Sequence, residues 1–209
     1  MAYETEEQQV EAIKEWLAEN GVSVLTGVAI GFLAIFGWQA WMQHQTAVAI
    51  EASNLFEQLV KSVEDSKHEE AVPKVTALRN NFDTTPYAAF AELIEARRLY
   101  EKKDIAGAKV ALKQAIEKAP EPALAIVAVL RLARLHIGSG EFDAASALLD
   151  KYPAPKQAFI AEYAVARGDI ARAKGKIAEA RRAYQEALAG KVAQADIVQL
   201  KLDNLPPES

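Results

Sequence analysis

From Gly21 to Met42 the stretch GVSVLTGVAIGFLAIFGWQAWM carries no charged side chain, while charges crowd the residues before it and return beyond it. A helix rises about 1.5 Å per residue, so this run reaches roughly 33 Å and covers a hydrocarbon core about 30 Å thick. The pattern predicts a transmembrane helix over 21–43. Trp38 and Trp41 stand at its far end and Trp16 just before its near end, where amphipathic rings settle among the headgroups of a lipid bilayer. An export signal has a basic start and an apolar core of roughly 7 to 15 residues, so Ala47-Val48-Ala49 is a weak cleavage site behind this longer run. A buried core helix would have no need of aromatics at both ends. Ser23, Gly27 and Gly31 recur at every fourth position and Ala34 continues their face, a small-residue stripe against which a second helix packs closely. The competing reading of that stripe is a face that simply meets lipid.

The preceding TEEQQVEAIKEWLAENG opens on the capping-box spacing Thr5-x-x-Gln8, places Val10, Ile13 and Leu17 at helical intervals, and ends on Asn20-Gly21 as a stop. Residues 1–20 are expected to form a short, separate amphipathic helix. Its six glutamates stand against Lys14 alone and account for the whole net charge of −5. A polar face this acidic suits a basic protein surface as well as lipid. Lys14 and the terminal amine precede the span, and no Lys or Arg follows it before Lys61, which predicts a cytoplasmic N-terminus and a C-terminal body outside.

Beyond the span, Ala, Leu and charged residues recur at helical spacing with no strand alternation. Three segments align with one another: AELIEARRLYEKKDIAGAKVALKQAIEKAP from 91, AVLRLARLHIGSGEFDAASALLDKYP from 128 and AVARGDIARAKGKIAEARRAYQEALAG from 164. In that register Ala96, Ala133 and Gly168 correspond, as do Ile105, Phe142 and Ile177; Ala108, Ala145 and Ala180; and Leu112, Leu149 and Tyr184. Small residues let paired helices approach, and bulky ones fill the space between pairs. The offsets, near the 34-residue tetratricopeptide period, predict an all-α protein: a single N-terminal transmembrane helix followed by a tetratricopeptide-like αα-solenoid over 44–205. Degenerate signature positions leave another type of αα-solenoid open. The expected pairs are 44–82, 88–120, 123–153 and 157–190, with a capping helix at 191–205 and a tail at 206–209. In the first, Leu55, Phe56, Leu59 and Val63 are to pack with Val72, Val75 and Leu78.

The chemistry-bearing residues are sparse. The absence of cysteine excludes disulfides and thiolate sites. His44, His68 and His136 lack metal-helix spacing, no phosphate-loop or nucleophile-elbow motif occurs, and the charge-balanced body has no basic stripe for nucleic acid. No catalytic, metal or cofactor site is expected, and no enzyme. Arg97 and Arg134 each follow the small residue of a first helix, with Arg98 and Arg131 nearby, so Arg97, Arg131 and Arg134 are candidates for a concave face that takes acidic peptide groups. The plainer reading is solvated or ion-paired arginine, and Asp169 breaks the basic run in the last pair.

QVEAIKEWLAENG at 9–21, GVAIGFLAIFGWQAWMQHQ at 27–45 and QLKLDNL at 199–205 resemble the YfgM-like family of bacterial inner-membrane proteins, and the resemblance runs end to end. It implies an ancillary subunit of the SecYEG translocon, with its repeat domain in the periplasm. There it would associate with the periplasmic chaperone PpiD and stand near emerging client polypeptides. The competing class is a membrane-tethered regulator whose acidic tail binds a soluble cytoplasmic factor.

Overall fold

The computed structural model describes residues 2–155 and 158–207, with side chains from residue 8 onward. Nine helices follow one another among the described residues, without a strand: α1 (Ala2–Glu64), α2 (His68–Asn81), α3 (Pro86–Glu101), α4 (Ile105–Lys118), α5 (Pro122–Gly138), α6 (Phe142–Lys151), α7 (Ile160–Ala173), α8 (Ile177–Ala189) and α9 (Ala195–Asp203). The chain divides into two compact units, Met1–Ile50 and Glu51–Ser209.

The described residues of the first unit, 2–50, form one continuous helix, which corrects the expectation of a separate amphipathic helix stopped at Asn20-Gly21. The helix already runs from Ala2, so Thr5 lies inside it rather than at its start, and the Thr5–Gln8 capping pair falls partly outside the described side chains. Asn20 leaves the chain helical by donating its side-chain amide to the Trp16 carbonyl at 3.0 Å, and Gly21 does not take the positive φ of a helix stop. Thr26 and Thr46 likewise return their hydroxyls to the carbonyls of Val22 and Met42, at 2.7 and 2.9 Å. Such internal satisfaction is what a helix in hydrocarbon requires. The large apolar residues of the charge-free run are exposed, Val22 by 81%, Leu33 by 74% and Leu25 by 73%. A water-soluble fold does not leave an apolar band of this length uncovered.

The second unit repeats one hairpin four times. Where the first helix of each pair ends, a residue with positive φ stands two positions before the second helix: Ser66 (58°), Lys103 (66°), Gly140 (76°) and Gly175 (74°). The next backbone N–H then reaches back five residues, Lys67 to Ser62, Asp104 to Leu99, Glu141 to His136 and Lys176 to Ala171, at 2.8 to 2.9 Å. These bonds satisfy carbonyls that the helix end would otherwise orphan and aim the second helix back along the first. The register exposes what the alignment missed in the first pair. Leu59 occupies the position of Ala96, Ala133 and Gly168, and Ala71 and Val75 those of Ala108 and Leu112; all three are buried. Its second helix accordingly buries Ala71, Val75 and Leu78, whereas Val72, an expected core residue, is 41% exposed on the other side.

Ile105, Phe142 and Ile177 begin α4, α6 and α8, where each plugs its hairpin half-buried. Ala108, Ala145 and Ala180 are fully buried beneath them. α5 packs on α4, α6 and α7, so one apolar core runs from Leu93 through Val129, Leu132 and Leu149 to Ile170, and a second lies under α8 and α9. Polar links tie successive pairs. Glu92 of α3, fully buried, takes a two-pronged ion pair from Arg79 of α2, and burial pushes its carboxyl above the usual range against the pull of that guanidinium. Asp169 of α7 accepts the Tyr184 hydroxyl at 2.7 Å and Lys201 of α9 at 2.7 and 2.8 Å, fastening the last helix to the last pair.

Size is exchanged within a pair. Where Ala96 and Ala133 are matched with Leu112 and Leu149, Gly168 is matched with the fully buried Tyr184, and a Cβ on Gly168 would lie 2.5 Å from Tyr184 Cε1. The ring cannot swing aside while Asp169 holds its hydroxyl. Gly168→Ala is therefore expected to cost about 1 to 2 kcal/mol, overpacking outweighing better helix propensity. In a Tyr184→Leu background the same change should stabilise by up to about 1 kcal/mol, a sign reversal that urea denaturation of the four variants measures directly.

Removing Arg79 by Arg79→Met strands a buried carboxylate, with an expected loss of roughly 3 to 5 kcal/mol near neutral pH. Because the stranded carboxyl has a folded pKa raised above its unfolded value, the native state binds the extra proton, and the deficit should shrink as pH falls. Denaturation of the variant against the parent near pH 7 and pH 5 checks the sign; an equal deficit at both rules it out.

Candidate peptide-binding groove

The first helices of successive pairs present like faces to the same side, and α3 and α5 form a trough there. α3 contributes Leu93, Ala96, Arg97 and Tyr100 at intervals of three and four; α5 contributes Arg131, Arg134 and Leu135; Leu112 of α4 reaches the floor. The space is about 400 Å³. Ala96 and Leu112 are nearly closed to solvent, whereas Tyr100, at the rim, is 50% exposed.

The three arginines singled out from the sequence all line this trough. Arg97 is engaged by Glu101 of its own helix at 2.9 Å, in an exposed pair. Arg131 and Arg134 have no carboxylate partner among the described residues. Burial, then the neighbouring charge of Arg134, then that of Arg97, hold the Arg131 guanidinium below its usual pKa, so Arg131 feels both other cations. Arg98 lies apart: one position on, it points inward, 8% exposed, and donates to both oxygens of Glu95 at 2.7 and 2.6 Å. Asp169, which interrupts the basic run in the sequence, is occupied by Tyr184 and Lys201. The sequence reading overlooked Tyr100, Leu93 and Leu135, although the spacing of Leu93 and Tyr100 from Arg97 on one helix marks the first two.

On α1, Gly27 and Gly31 are open: a Cβ on either would meet nothing within 4 Å. Ser23 and Ala34 are exposed on the same face. Trp16 is 55% exposed, and the Trp38 and Trp41 rings stand 5.2 Å apart. His136, half-buried at the end of α5, bonds Glu141, which Lys109 also holds at 2.8 Å. Among the described residues no group of three or more His, Asp and Glu is placed to hold a metal ion.

Fold and trough together define a helical-repeat protein carried on an apolar helix. The family model described as tetratricopeptide repeat-like domain matches residues 14–207. Similar chains named ancillary SecYEG translocon subunit occur in Aggregatibacter actinomycetemcomitans (34% identity over 208 residues, 98% of this chain and 100% of the relative) and Escherichia coli K12 (32% over 207 residues, 97% and 98%). Another, with the same name, is from Haemophilus influenzae (30% over 207 residues, 98% and 100%). The chain belongs to this family of tetratricopeptide-like ancillary SecYEG translocon subunits.

Relief of repulsion in the trough supplies a check on its geometry. Arg131→Met roughly keeps the side-chain length and removes a cation that feels both Arg134 and Arg97, so it should stabilise the fold by roughly 0.5 to 1 kcal/mol, more at low salt than at high. Thermal melts at two ionic strengths measure it; a destabilised variant with no salt dependence would remove the electrostatic reading of the cluster.

Proposed function

We propose that this chain is a non-enzymatic, membrane-anchored accessory subunit of the SecYEG translocon. Residues 21–43 span the bacterial inner membrane once, with residues 1–20 cytoplasmic and the repeat domain periplasmic. The observation that carries this reading is the end-to-end match to relatives bearing that name, which includes the apolar helix as well as the repeats.

Physical considerations support the division of labour. The nine Val, Leu, Ile and Phe side chains of the charge-free run are all exposed, and in lipid they favour insertion by about 3 to 5 kcal/mol in all. The open face of Ser23, Gly27, Gly31 and Ala34 lets a translocon helix approach the backbone of α1, while Trp16, Trp38 and Trp41 set its depth. The repeat domain recruits the periplasmic chaperone PpiD and so holds it near emerging client polypeptides. A repeat scaffold of this kind needs no cofactor, because its work is recognition through a preformed surface.

Gly27→Leu combined with Gly31→Leu fills the open face without making the span less apolar. Co-isolation of the translocon with this variant in mild detergent should fall at least about tenfold, while exchange of residues 1–20 for an unrelated tail leaves it unchanged. Loss on tail exchange, with full retention after the repeats are deleted, would instead favour the tethered regulator.

A further inference from the structure

We infer that the α3/α5 trough is a receptor for an acidic polypeptide segment in which carboxylates flank bulky apolar side chains. This deepens the scaffold reading above and rests on it for the existence of a protein partner. The charge arrangement selects the occupant. Elsewhere in the repeats five inward or inter-pair cations are neutralised by carboxylates, Arg79 by Glu92, Arg98 by Glu95, Lys109 by Glu141, Lys174 by Asp143 and Lys201 by Asp169. Arg131 and Arg134 alone among the trough's cations face it without a carboxylate, and Arg97 shows how one is taken, with Glu101 at 2.9 Å. That exposed pair on one helix is weak and is exchanged readily for a carboxylate arriving from outside.

A simple inorganic anion would leave the rest of the site unused. The arginines share the trough's lining with Leu93, Leu112 and Leu135 and with the exposed Tyr100. One turn before Leu93 on the same face of α3, Phe90 is 36% exposed, with its ring centroid 5.8 Å from that of Phe56 and 6.3 Å from that of Tyr87. Apolar side chains of the ligand fit this line while its carboxylates meet the arginines. Phe90 to Tyr100 covers about 15 Å of helix, the reach of some four or five extended residues. The body is otherwise balanced in charge, so the acidic preference is local to this trough rather than a general attraction for polyanions.

The test uses the full chain in nanodiscs and the fluorescence anisotropy of a short blocked peptide in which glutamates flank a pair of leucines. Binding should weaken about tenfold or more when the glutamates are replaced by glutamine, and similarly when the leucines are replaced by serine. Arg134→Gln and Arg131→Met should each weaken it about fivefold or more, with a steeper salt dependence in the parent chain than in either variant. Arg131→Met is the safeguard against misfolding, because it is expected to melt higher than the parent while binding less. Equal affinity for the glutamine peptide, or undiminished binding by Arg134→Glu, overturns the proposal. So does displacement of the peptide by phosphatidylglycerol vesicles at matched headgroup concentration, which would make the trough a lipid site. The translocon co-isolation is run on the same chains: peptide binding without co-isolation removes the translocon reading and leaves the receptor standing, whereas co-isolation without peptide binding removes the receptor alone.

Discussion

Close approach of the two helices in each pair is the constraint from which the rest of the repeat domain follows. In three of the four pairs a small residue on one helix and a filler on the other set the spacing, and where the filler grows from Leu to Tyr184 the small residue shrinks from Ala to Gly168. A positive-φ turn residue and a backbone bond reaching back five positions fix the direction of return in all four pairs. Since every first helix is then presented in the same way, Arg97 on α3 and Arg134 on α5 arrive on one side without any direct contact being needed to bring them together.

That arrangement also explains how an open, cationic trough coexists with a stable interior. The ion pairs that fasten one pair to the next, Arg79 with Glu92 and Lys201 with Asp169, are short and sheltered from water. Those in the trough are either exposed or absent. Unneutralised like charges cost stability, so Arg131 and Arg134, without a carboxylate in a trough that also holds Arg97, are a feature that the packing of this domain does not call for. The apolar helix shows a related economy: Asn20, Thr26 and Thr46 turn their polar groups back on its own carbonyls, and the large apolar side chains of the charge-free run face outward.

Much of this was legible in the chain because helical period and residue size are local properties. The charge-free run from 21 to 42, the register joining Ala96, Ala133 and Gly168, and the choice of Arg97, Arg131 and Arg134 all follow from counting positions. The first pair escaped the alignment because Leu59 replaces the small residue that marks the others, and its register shows only in the turn hydrogen bonds. Val72 was misplaced for a related reason: one valine looks like another until the neighbouring helix selects Ala71, Val75 and Leu78.

What the sequence by itself determined is which residues are apolar at which interval, and hence the all-helical repeat and the presence of a segment that hydrocarbon can hold. Only the tertiary structure decided three further matters. Asn20-Gly21 is a stop signal in isolation, yet the helix runs through it, because Asn20 bonds backward to Trp16 and Gly21 keeps helical φ. Arg97 and Arg98 are adjacent and chemically identical, yet a rotation of about 100° per residue turns one to the trough and the other to Glu95. And Arg131 and Arg134 become a site only when α3 brings Arg97, Leu93 and Tyr100 beside them, since a shared electrostatic field depends on distances through space that no spacing along the chain specifies.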